Sequence, residues 1–128
     1  MSRTWMIYGA NGHTGGLAAR VATDRRLSPI LAGRHAGPVR SLADDLGCES
    51  RVFDLCDPAV VATNLQGVAA VLHCAGPFSA TSRPMLDACL RAGTHYLDIT
   101  GEIAVFEDIH SRGREIIEAG IIAIPGVG

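Results

Sequence analysis

The 128-residue chain contains no lysine; all eleven of its basic residues are arginine. Chemistry in which a lysine ammonium tunes a neighbouring acid is therefore closed to it. Net charge is −2 and no basic patch stands out, which argues against nucleic acid or an anionic membrane as the main partner. The cysteines Cys48, Cys56, Cys74 and Cys89 form no CxxC pair and have no histidine at zinc-finger spacing, so no metal site is expected. Free, mostly buried thiols in a reducing compartment are the expectation. No apolar run reaches the ~20 residues of a membrane span, and no basic segment followed by a long apolar run opens the chain. A soluble cytoplasmic protein without a signal peptide is expected. Linkers, low-complexity tracts and repeats of roughly 20–50 residues are missing too, which leaves one domain.

What is present is 48% hydrophobic and 19% charged, enough to bury a core. Short apolar runs alternate with longer segments of helical period. Strands are expected at 4–8, 29–33, 50–55, 69–75, 95–100 and 121–125. Helices are expected at 14–24, 38–47, 57–65, 82–93 and 105–120. In the first helix Leu17, Val21 and the alanines share a face. Val39, Leu42 and Leu46 point inward from the second. Asp57 caps the third, with proline at its first position. Gly47, Gly93 and Gly120 serve as stop signals. Apolar strands separated by amphipathic helices imply an α/β fold with a parallel sheet covered on both faces. Right-handed crossovers make it doubly wound, a Rossmann fold of six strands in the order 3-2-1-4-5-6.

The turn after the first strand reads "YGANGHTGG". Gly9, Gly12 and Gly15 give G-x-x-G-x-x-G, a variant of G-x-G-x-x-G with the same physical purpose. Glycine lets the chain turn tightly and lets a pyrophosphate approach the unpaired N–H groups of a helix N-terminus. The pattern comes after a strand and opens a helix, the context that supports dinucleotide binding. Asn11, His13 and Thr14 lie in this loop. Thr14 can cap the helix or donate to a phosphate, and His13 reads first as a solvent-facing residue.

The second strand ends "LAGRH", with Gly33 and Arg34 and no acid until Asp44. An acid here would accept from the ribose hydroxyl of NAD, whereas an arginine pairs with the 2′-phosphate of NADP. NADP is therefore expected over NAD. "CAGPF" comes after the fourth strand. Gly76 there allows close approach, Pro77 stiffens the turn, and Phe78 packs on a ligand or closes the next helix. "DITGE" comes after the fifth; Asp98 and Glu102 could form an acid pair, but Thr100 and Glu102 organising the loop is the preferred reading.

Together "YGANGHTGG", "LAGR", "CAGPF", "RPMLDACLRAG" and "HYLDITGE" resemble the saccharopine dehydrogenase-like oxidoreductases, in particular the branch with the trans-acting enoyl reductases. The resemblance runs over essentially the whole chain. It implies an N-terminal NAD(P)-binding domain, with a second domain carrying much of the substrate site. It also implies roles for Gly9, Asn11, Gly12, Thr14 and Gly15 at the phosphates, for Arg34 at the 2′-phosphate, and for Ala75, Gly76 and Pro77 beside the nicotinamide half. Glu102 matches the family's "TGE" without an assigned role.

Two functions remain open: the cofactor half of an NADP-dependent oxidoreductase that is inactive alone, or a non-catalytic NADP-sensing module. A short-chain dehydrogenase mechanism is excluded, because neither Tyr8 nor Tyr96 has a lysine four residues on. The chain stops at "PGVG" directly after the last strand, as a domain cut before further protein would. The apolar edge there, Ile121 to Ile124, is expected to mediate a homodimer or other self-association.

Overall fold

In residues 4–128, which the computed structural model describes, strand and helix alternate up to the fifth strand, after which two short helices precede the last strand. The order is β1 (Trp5–Tyr8), α1 (His13–Asp24), β2 (Ile30–Gly33), α2 (Ala36–Leu46), β3 (Ser50–Val52), α3 (Pro58–Asn64), β4 (Ala70–His73), α4 (Phe78–Ala92), β5 (His95–Asp98), α5 (Ile103–Ser111), α6 (Gly113–Ala119) and β6 (Ala123–Ile124). Every pairing is parallel, and the sheet order is β3-β2-β1-β4-β5-β6. This is the expected doubly wound arrangement.

The two-residue alternation of side chains explains why the central strands are apolar on both faces. From β1, Met6 and Tyr8 enter one core layer with Val61 of α3, Leu65 just past its end, and Met85, Leu86, Cys89, Val105 and Ile109 of α4 and α5. Ile7 enters the other layer with Ala19 of α1 and Ala43 of α2. The α1 side is built from small residues: Gly15, Ala19 and Ala22 are its buried positions. Leu17 and Val21 are not on that face; they are 55% and 52% exposed. The inner stripe is the glycine–alanine one, because a helix that starts against the sheet's carboxyl edge has no room for longer side chains.

Several boundaries also differ from the sequence expectation. α4 begins at Phe78 rather than Ser82 and carries Pro84 in its interior. The Glu102 carboxylate, which accepts from the Phe78 N–H at 3.0 Å, anchors the earlier start. The expected helix at 105–120 is broken at Arg112. Gly113 weakens the helix there, and the Arg112 guanidinium is drawn to Asp87 of α4 at 2.6 Å and to Glu115 at 2.8 Å. β3 and β6 are shorter than expected, and β6 holds only Ala123 and Ile124. The Asp57 cap is present, its carboxylate accepting from Ala59 N–H at 3.0 Å next to Pro58. Gly47, Gly93 and Gly120 end α2, α4 and α6 in the left-handed conformation. No helix among the described residues is long and apolar enough to cross a membrane.

Candidate dinucleotide-binding site

The turn between β1 and α1 is held from below and packed from the side. Gly9 and Ala10 N–H both donate to the Ala32 carbonyl, at 2.8 and 3.0 Å, and Gly12 N–H donates back to Gly9 O at 3.0 Å. Gly9 sits at φ +81°, and a Cβ on it would stand 2.9 Å from Ala75 N. A Cβ on Gly15 would stand 2.1 Å from Gly9 O, and one on Gly12 3.3 Å from the same oxygen. Two of the three glycines are thus demanded by backbone-to-backbone packing, and the third is tight. The resulting concavity is a cradle that side chains would fill.

α1 opens directly on this cradle. Its N-cap is Gly12, with no side-chain cap, so Thr14 does not cap the helix. The first intrahelical bond there is Gly16 N–H to Gly12 O. His13, Thr14 and Gly15 therefore present N–H groups with no intrahelical acceptor, at the positive end of the helix dipole. His13 is exposed, on the flank where a cavity of ≈ 400 Å³ opens between α1 and α2, lined also by Arg20, Ser41 and Asp45.

The other sequence candidates stand on the same carboxyl edge. Asn11 Oδ1 lies 3.0 Å from where a Gly33 Cβ would be, which brings the turn against the end of β2. Arg34 comes next, exposed, with its Nε 3.2 Å from His35 Nε2. No carboxylate forms an ion pair with it among the described residues. Ala75 adjoins Gly9, and Gly76 and Pro77 are exposed beyond it, joined by a cis peptide bond.

Asp98 and Glu102 do not form an acid pair. Asp98 is fully buried. Its carboxylate accepts from Tyr96 Oη–H, from Thr100 N–H and from Gly126 N–H. Glu102 accepts from Phe78 N–H, and its own N–H donates to Thr100 Oγ1. Thr100 and Glu102 organise the loop, as the preferred reading had it, and Asp98 is a structural tie beside them. Phe78 makes an edge contact with His73, ring centroids 5.3 Å apart, and packs against the core, which favours its sealing role.

Three residues that support the site had no site role in the sequence reading. Tyr8 donates to the Phe53 carbonyl at 2.8 Å and its ring packs at a 45° tilt on that of Phe53, centroids 5.0 Å apart, tying the ends of β1 and β3. Burial, with the Asp54 charge adding, pushes its phenol up to about 12. His73 is buried at the end of β4 beside Thr81 of α4, and burial pulls its imidazole down to about 4. Cys74, next along, has its thiol pushed up to about 11 by burial, which makes it a poor nucleophile. Only tertiary packing assigns these residues; locally each reads as an ordinary strand position.

Residues 5–124 match the family profile of the saccharopine dehydrogenase NADP binding domain. The chain belongs to this family. A trans-acting enoyl reductase of Mycobacterium ulcerans is 33% identical over 105 residues, covering 77% of this chain and 25% of the relative. The saccharopine dehydrogenase-like oxidoreductase of Mus musculus is 27% identical over 143 residues, covering 96% of this chain and 33% of the relative. This NADP-binding domain thus spans about a quarter to a third of the curated relatives it matches. In fold it is similar to saccharopine dehydrogenase (L-Glu forming) from Saccharomyces cerevisiae, with a TM-score of 0.76 at 18% identity over 98% of this chain and 27% of that one. It is also similar to the Citrobacter triphenylmethane reductase solved with NADP(H), with a TM-score of 0.67 at 21% identity over 90% of this chain and 45% of that one. The family profile gives NADP as the cofactor class.

Proposed function

We propose that this domain holds NADP(H) along the carboxyl edge of its sheet, as the cofactor half of an oxidoreductase whose cofactor supplies hydride transfer. The carrying observation is the glycine cradle, closed to any Cβ at Gly9 and Gly15 and opening on the free N–H groups of α1. In this reading Gly9, Asn11, Gly12, His13, Thr14 and Gly15 receive the pyrophosphate. Arg34, without an acidic partner among the described residues, reads the 2′-phosphate, and Ala75, Gly76 and Pro77 border the nicotinamide half. The small-molecule substrate is met by protein outside these residues, corresponding to the remaining length of the relatives. Four free cysteines support a reducing, cytoplasmic setting. Self-association through the β6 edge is supported by the exposure of Ile122 and Ile124, although the strand itself is short.

Calorimetric titration with NADPH and NADH tests the assignment. The wild type is expected to prefer NADPH, and Arg34→Ala to lose at least about tenfold of that affinity while NADH changes little, as for loss of a charge-assisted contact of ~1.5–3 kcal/mol. Equal binding of both cofactors, or an Arg34→Ala variant that binds NADPH like the wild type, would refute it. The non-catalytic sensor is the second reading. It is favoured by the ties on Asp98 and Glu102, the acids of the β5 edge, which both serve the fold. Substrate-dependent NADPH oxidation by the chain would exclude it.

A further inference from the structure

The hydroxyl of Thr81, one turn inside α4, sits at the centre of a small polar hub. Its Oγ1 lies 2.7 Å from Ala75 O, 3.2 Å from Pro77 O and 2.9 Å from His73 Nε2. A hydroxyl has one proton to give. Committed to the loop carbonyls, it can meet His73 only as an acceptor, so the imidazole must carry its proton on Nε2. That leaves Nδ1 as a bare acceptor, and it is indeed buried without a partner among the described residues. The low imidazole pKa keeps this neutral form in place at physiological pH.

The hub therefore runs one way, from His73 Nε2–H to Thr81 Oγ and from Thr81 Oγ–H to the backbone of the 75–77 loop. The same loop is gripped from its other end by Glu102 through Phe78 N–H, and it touches the glycine turn where Gly9 faces Ala75. Among the described residues, Ala75 and Gly76 N–H donate to no protein acceptor. A buried histidine with one unmet ring nitrogen is a costly way to secure a turn. A purely apolar contact at 73 and 81 would hold α4 on the sheet but would leave the loop carbonyls unaimed.

We propose that Thr81, oriented by His73, is a positioning residue for the nicotinamide half of NADP(H): it fixes the Ala75–Pro77 backbone so that this loop meets the cofactor in one conformation. The proposal rests on the NADP(H) reading above and adds a residue outside the cradle to it. It separates the two halves of the ligand. The adenosine half depends on Arg34 and the glycine turn, and only the nicotinamide half depends on Thr81.

The test compares NADPH with adenosine 2′,5′-bisphosphate, which carries the 2′-phosphate but no nicotinamide, on the wild type, Thr81→Val and Thr81→Ser. Thr81→Val, nearly isosteric, is expected to weaken NADPH by about tenfold and the bisphosphate by less than about twofold, as for loss of one aimed hydrogen bond. Thr81→Ser, which keeps the hydroxyl, is expected to restore NADPH binding to within about threefold of wild type. A Thr81→Val variant that binds NADPH as the wild type does, or that loses both ligands equally, would overturn the positioning role. So would a wild type that binds the bisphosphate as tightly as NADPH. A wild type that binds neither ligand would instead bring down the NADP(H) reading itself.

Discussion

At Gly15 and Gly16 adjacent residues of the same type have opposite reasons to be glycine. A Cβ on Gly15 would meet the Gly9 carbonyl at 2.1 Å, and neither backbone can give way without unmaking the turn. On Gly16 it would meet only Ala10 O at 3.5 Å, an ordinary contact. Gly15→Ala is therefore expected to cost at least ~2 kcal/mol, in the range for overpacking against a fixed backbone. Gly16→Ala is expected to gain up to ~1 kcal/mol from helix propensity. Thermal melts of the two variants check this, and equal shifts in the same direction would contradict it. The sequence displayed these glycines plainly, because a G-x-x-G-x-x-G turn is a local pattern. It could not rank them, since the atom that excludes a side chain at 15 belongs to a residue folded back on it. Nor could it reveal His73 or Thr81, eight residues apart and facing each other only once α4 lies on β4.

At the scale of elements, β5 and the C-terminal segment beyond β6 are joined through one side chain. Asp98 ties the strand to its own turn at Thr100 and reaches Gly126, while its carbonyl accepts from Val127 N–H at 2.9 Å. Asp98→Ala removes the one oxygen to which both Thr100 N–H and Gly126 N–H donate, and with it the acceptor of Tyr96 Oη–H. Its expected cost is at least ~1–3 kcal/mol for the buried donors left unmet, with faster amide exchange at Gly126. Urea unfolding and exchange rates would show it; exchange at Gly126 as slow as in the wild type would tell against the tie. Most elements were legible in the sequence through strand composition and the Asp57–Pro58 and glycine punctuation. The exceptions share a cause. α1 turned its alanines inward, α4 started early on a carboxylate borrowed from Glu102, and the last helix broke where Arg112 reached α4. Each is a tertiary contact overriding local period or propensity.

For the whole molecule, the buried neutral His73 makes folding stability depend on pH. Its folded pKa is about 4, against 6.5 for the free side chain. Between those values the unfolded chain binds the proton and the folded one does not, so stability is full above about pH 6.5 and falls as the pH drops towards 4. The loss from this group is on the order of 3 kcal/mol. His73→Asn, which cannot titrate, should flatten that part of the profile in urea unfolding at pH 7, 5.5 and 4.5. An unchanged slope in the variant would assign the acid sensitivity elsewhere. The global topology was legible in the alternation of strands and helices, because parallel sheets with right-handed crossovers leave few orders open. The site's inner support was not, since it is made of contacts across the sheet. The single tryptophan, Trp5, opens β1 and packs in the α1–α2 layer. Along a strand rising ~3.3 Å per residue, that places it roughly 13 Å from Gly9. Its emission overlaps the near-ultraviolet absorption of a reduced nicotinamide, so the domain has a built-in optical donor with a single origin: cofactor docking can be tracked as quenching of its native fluorescence, without a label.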